Sequence, residues 1–145
     1  MESVVRLALA LLPVLVFLLI LILLDSYKLV TRRLVASMLV AGAAAAASSL
    51  LLNLLIGRSA GVEAVTLARY VAPVVEELLK GACIVFLMRR SRIGFLVDGA
   101  VLGFAVGAGF ATFENIHYFV ALDDPNMLLW LIRGFGTAVM HGSVT

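Results

Sequence analysis

The chain has a single cysteine, Cys83, in 145 residues. One thiol excludes an intrachain disulfide and any CxxC metal site, and its apolar helical surroundings read as packing. Charge is scarce too. Asp, Glu, Lys and Arg together make 14% of the residues, against about a quarter in an average soluble domain. Strict polar–apolar alternation is missing, which excludes a membrane β-barrel. Apolar residues fill the space: 63% of the chain is hydrophobic and the mean hydropathy is +1.15. A soluble domain this small has too much surface for its volume to hide that fraction. The expected class is all-α, a single polytopic helical membrane domain in a lipid bilayer. The net charge of +2 does not point to nucleic acid, because the basic residues fall in short connections between apolar runs.

Five runs read as membrane helices, at residues 7–24, 34–56, 70–88, 99–121 and 128–145. No small-x-small cleavage site follows the first, so it reads as a span and not as a signal peptide. The residues between Gly57 and Arg69 are polar enough to lie outside the hydrocarbon, with a helical turn capped by Ser59. Asp98 is expected to cap the fourth helix, and Asp123-Asp124-Pro125-Asn126 makes an acidic turn. Lys28, Arg32 and Arg33 follow the first span, and Arg89, Arg90 and Arg92 follow the third. The positive-inside rule then puts the N-terminus outside. The fifth helix is still running at Thr145, about 20 Å beyond Arg133 in a core of about 30 Å, so the sequence reads as a fragment or truncated product.

One stretch is out of keeping with lipid. Val71-Ala72-Pro73-Val74-Val75-Glu76-Glu77-Leu78-Leu79-Lys80 sets three ionisable groups in an apolar helix, each at about 2.5–3.5 kcal/mol on insertion scales. Such groups need partners. Counted from the outer surface, Glu76 lies about 10 Å deep, Glu114 about 13 Å and His141 about 12 Å, the last measured from Trp130 and Arg133 at the interface. The three levels coincide. Gly99, Gly103 and Gly107 form a small-xxx-small stripe, and Glu114 is seven residues further on nearly the same face. Gly134, Ala138 and His141 form a similar face on the fifth helix, while Gly42 and Ala43–Ala47 suggest close contact for the second. Lys80 is one turn from Glu76, with Glu77 offset by about 100°; it is expected to neutralise one glutamate while the other faces the cluster.

Two or three carboxylates and an imidazole in a dry pocket support two routes to amide hydrolysis. They can bind a divalent metal whose water becomes the nucleophile, through Glu76, Glu114 and His141. Alternatively, a glutamate acts as general base on water while His141 donates to the developing oxyanion. Other readings are a proton- or cation-coupled transporter, which would be expected to show internal repeats, and a non-catalytic membrane scaffold. Asn115 is expected to orient Glu114, and Asn53 to bond another helix. His117 reads as an interfacial histidine; Phe110, Phe113 and Phe119 read as packing.

Glu76-Glu77-x-x-Lys80, then Phe110-x-x-x-Glu114 within Gly-Phe-Ala-Thr-Phe-Glu-Asn, then His141, resemble the PrsW family of bacterial and archaeal intramembrane proteases. That family lies in a superfamily with the CAAX prenyl endopeptidases, whose motifs look like EExxxR, FxxxH and HxxxN or HxxxD. The resemblance spans about residues 71–145, the motif-bearing core. It implies a prokaryotic plasma-membrane endopeptidase in which Glu76 and Glu77 activate water, and Glu114 and His141 bind metal (zinc being one candidate) or stabilise the transition state. It also implies a membrane-anchored protein substrate, such as the anti-sigma factor whose site-1 cleavage is the family's best-known role. Thr145 stands four residues after His141, where the superfamily's pattern has a polar ligand; threonine departs from the carboxylate or amide found there.

Overall fold

A computed structural model describes residues 2–24, 30–89, 96–122 and 124–145. The helices are α1 (Glu2–Leu24), α2 (Arg32–Ala60), the short α3 (Ala64–Thr66), α4 (Ala72–Arg89), α5 (Leu96–Ala121) and α6 (Met127–Val144), with a π-helical turn over Leu67–Val71. The fold is all-α. Three helices, Glu2–Leu24, Arg32–Ala60 and Val97–Ala121, are long and apolar enough to cross a membrane. The other two of the five expected spans, α4 and α6, have 18 residues each and carry Glu76, Glu77, Lys80, Arg133 and His141. Lys28, Arg90, Arg92 and Asp123 lie outside the described residues.

Local chemistry sets the helix ends. Thr31 caps α2 by accepting the Leu34 N–H at 3.3 Å, and Asn126 caps α6 by accepting that of Leu128 at 3.0 Å. Helix α2 continues to Ala60 and stops at Gly61, whose φ of +61° is the left-handed conformation of a helix C-terminus. Ser59 therefore caps no following turn; it lies in the last turn of α2 and its hydroxyl donates to the Ile56 carbonyl. Asp98 is the third residue of α5, inside the helix and buried, not at its cap. The π turn stands directly before α4, where the Ala72 N–H reaches back to the Leu67 carbonyl. Pro73 has no N–H and its ring would crowd the Arg69 carbonyl in a regular helix, so a widened turn relieves the clash.

Helix α5 is the centre. It packs against α2, α6, α1 and α4, and 61% of its most apolar window is buried against 22% for α1 and α2. Small residues make this possible. A Cβ on Gly107 would overlap the His141 carbonyl on α6, and one on Gly103 would crowd the carbonyl of Thr145. A Cβ on Gly109 would overlap the Leu39 carbonyl of α2, and one on Gly42 the Val106 carbonyl of α5. The expected face of α6 is divided: Gly134 meets Leu9 and Pro13 of α1, while His141 meets α5. Trp130 points into the bundle. It is 0% exposed, and its indole N–H donates to the Asp124 carbonyl at 3.0 Å, which also accepts from Arg6 at 2.8 Å. Outward faces stay apolar, with Leu12, Leu19, Leu51, Leu78 and Val139 exposed, as a bundle bathed in lipid requires.

Candidate active site

Helices α4, α5 and α6 bring a line of ionisable groups together. Lys80 on α4, 0% exposed, donates to Glu77 Oε1 at 2.5 Å and to His141 Nδ1 at 2.9 Å. His141 Nε2 is 2.7 Å from Glu114 Oε2 on α5, and Glu114 Oε1 is 3.6 Å from Arg133 Nη2 on α6. Along the order Glu77–Lys80–His141–Glu114–Arg133, Lys80 donates to both neighbours, His141 both accepts and donates, and Glu114 accepts from His141 and is ion-paired with Arg133. An ammonium has protons to give and no lone pair, so His141 Nδ1 accepts from it. The imidazole proton then sits on Nε2 and is donated to Glu114. Phe110 supports the line from one side, with its ring 4.6 Å from the ammonium and 5.0 Å from the imidazole centre.

The other glutamate turns away. Glu76 lines a cleft of about 240 Å³ bounded by α2, the π turn, α4 and α5. Glu114 lines it too, with His117 and Tyr118 further along α5 and Ser49 and Asn53 on α2. One carboxylate of the adjacent pair is thus bound to Lys80, and the other faces open space beside Glu114. The rest of the wall is apolar, including Leu50, Leu54, Leu67 and Phe113. Water there meets few competing partners, which strengthens electrostatic interactions with it.

Several expected residues are placed differently. Asn115 does not touch Glu114. It is buried on another side of α5, where its amide donates to the Ala10 carbonyl and to Thr137 Oγ1, both at 2.8 Å. Neighbours in a helix point about 100° apart, and the Asn115 direction leads to α1 and α6. The Thr145 hydroxyl donates at 2.7 Å to the His141 carbonyl of its own helix and stays out of the cleft. Asn53 bonds Ser49 of its own helix, not a neighbouring one. Glu76, Glu114 and His141, the expected metal donors, do not converge: among the described residues no three His, Cys, Asp or Glu are grouped to hold a metal ion. Both ring nitrogens of His141 are engaged as well, one accepting from Lys80 and one facing Glu114.

Arg133 is the member of the line that the sequence reading left at the membrane surface. Its guanidinium lies over the Tyr118 ring at 3.9 Å and faces Glu114. A signal was present: Arg133, Thr137 and His141 recur every four residues, one polar stripe along a helix whose neighbour carries Glu114.

Comparison with known proteins agrees with the motifs and extends them. The family model described as PrsW family intramembrane metalloprotease matches residues 28–145, adding α2 to the half of the chain on which the motifs lie. No curated protein and no solved structure matches the chain. The line of charged groups and the cleft beside it both lie within the matched residues. With more than half its length matched, the chain belongs to the PrsW family of intramembrane metalloproteases, multi-pass membrane peptidases that act on membrane proteins.

Proposed function

We propose that the chain is an endopeptidase of a prokaryotic plasma membrane, with its N-terminus outside, and that it cuts a membrane-anchored protein such as an anti-sigma factor within the bilayer. The observation that carries this reading is the pairing of Glu76 and Glu114 on one cleft, with the Lys80–His141 pair directly behind Glu114. In this reaction Glu76 takes a proton from water as the oxygen attacks the scissile carbonyl carbon. The oxyanion that forms is met by the Nε2–H of His141, which shifts to it from Glu114. Glu76 then returns its proton to the leaving nitrogen as the C–N bond breaks, giving an acid and an amine and restoring the carboxylate. Lys80 keeps the imidazole proton on Nε2, the side of Glu114, and Glu77 holds Lys80.

The family's description implies a divalent metal, zinc being the candidate named by the resemblance. The donors as arranged do not form a site for it, so no step above runs through one. The test is cleavage of a tagged single-span reporter in a bacterial membrane by wild type, Glu76→Gln and Glu114→Gln. Wild type is expected to cut, and both variants to be folded and silent. Equal cleavage by all three would remove the hydrolytic role of the carboxylates. Chelation followed by zinc then assigns the metal: an unchanged rate leaves the work to the carboxylates, and a rate lost and restored gives zinc a share.

A further inference from the structure

We propose that Ala72, with Ala68 one turn away, forms a subsite for a large apolar side chain of the substrate next to the bond to be cut, so that Ala72 sets which residues the enzyme accepts there. The inference rests on the proteolytic reading of the cleft. A span that presents a peptide bond to Glu76 and Glu114 also presents the side chains on either side of it. In a membrane segment those are mostly Leu, Ile, Val and Phe. The cleft must have room for one beside its carboxylates.

That room lies on the α4 side. Ala68, Ala72 and Glu76 recur every four residues, so they share one face, and all three line the cleft of about 240 Å³. Their neighbours on the other faces, Tyr70, Val71, Val74 and Val75, are larger. The face leading outward from Glu76 is pared down to methyl groups. Helix α2 closes the space at both ends. At the inner end Ala46 is buried in a cluster with Phe110, against which Leu79 of α4 packs. At the outer end a Cβ on Gly57 of α2 would touch the Leu67 side chain of the π turn at 3.4 Å. Between these contacts Leu50 and Phe113 supply the apolar wall across from Ala72. The space is open to a ligand, with Ala68 exposed and Ala72 half-buried. An apolar cleft in a bilayer fills with a lipid chain or with a substrate side chain. An acyl chain offers Glu76 no hydrogen bond, whereas an unwound peptide brings N–H groups and water with it.

The test uses the full chain in liposomes and a synthetic single-span peptide that it cuts, with the residues flanking the cut changed one at a time among Ala, Leu and Phe. At one position wild type is expected to cut the Leu or Phe peptide at least about tenfold faster, in kcat/KM, than the Ala peptide, the low end of what a methylene is worth in an apolar pocket. Ala72→Leu fills the space from the enzyme side. It is expected to reverse that order, cutting the Ala peptide faster than the Leu peptide, and to leave preferences at the other positions unchanged. A wild type indifferent to size at every position would overturn the inference and leave the space to lipid. So would an Ala72→Leu that slows all the peptides alike. If Ala72→Leu fails to fold, crosslinking decides. A benzophenone side chain at the preferred position, on a peptide held uncut by Glu76→Gln, is expected to join residues 67–76, and attachment only elsewhere overturns the inference. A wild type that cuts no peptide would sink the proposed function along with this one; a wild type that cuts without size preference sinks the subsite alone.

Discussion

Lys80 Nζ lies 2.9 Å from His141 Nδ1 and 2.5 Å from Glu77 Oε1, so one buried ammonium ties α4 to α6 and sets the tautomer of the imidazole. A charge with no exposure persists in a membrane helix only because those partners and the Phe110 ring surround it. Lys80→Met keeps the length of the side chain and removes the ammonium. Cleavage is expected to fall at least about tenfold, and nitrogen NMR of His141 is expected to change from one tautomer to a mixture. An unchanged tautomer at an unchanged rate would show that Lys80 is there for packing.

Glu114 is held at both oxygens, by His141 on one side and by Arg133 at 3.6 Å on the other. Arg133→Gln is expected to lower kcat about five- to tenfold while KM stays within about twofold, because the carboxylate loses its positioning and not its contact with substrate. Tyr118→Phe keeps the ring under the guanidinium and is expected to cut at the wild-type rate. A rise in KM with kcat intact would place Arg133 in substrate binding instead.

Gly107 and Gly136 make a controlled pair. A methyl on Gly107 would overlap the His141 carbonyl, whereas one on Gly136 meets nothing within 4 Å. Gly107→Ala is expected to destabilise the bundle by about 1–3 kcal/mol and to cut poorly even when folded, since His141 moves with its backbone. Gly136→Ala is expected to be neutral or stabilising by up to about 1 kcal/mol. Thermal unfolding in detergent, read beside the cleavage rate, checks both.

Asn115 joins three helices through bonds to Ala10 and Thr137. Asn115→Leu is expected to reduce stability by about 1–2 kcal/mol while the rate per folded molecule stays within about twofold. A large loss of rate without loss of stability would mean that Asn115 acts on Glu114 after all.

Much of this arrangement was legible because lipid makes misplaced charge conspicuous. Glu76, Glu77, Lys80, Glu114 and His141 stood out against long apolar runs, and helical depth alone set Glu114 and His141 at one level; they are 2.7 Å apart. The glycine stripe through Gly103 and Gly107 announced close packing, and its partner proved to be α6. What sequence could not give was direction. Asn115 is next to Glu114 in the chain and points elsewhere, a difference that depends on where α1 and α6 sit. Arg133 and Trp130 have the composition of an interface, yet one faces Glu114 and the other is buried; only the packing of α6 decides that. The π turn escaped because Pro73 signals a disturbance without saying whether the helix kinks, starts or widens.

The seam between α5 and α6 has a mechanical consequence. Where Gly107 lies on the His141 carbonyl, backbone meets backbone with no side chain between to slide or change rotamer. The two helices therefore tilt as one plank. Helix α4 rests more on α2 than on α5, and the Lys80–His141 bond joins it to the same unit. When the bilayer thins or thickens, helices adjust their tilt to match it; backbone contact at this seam keeps the Glu114–His141 spacing fixed through such a change.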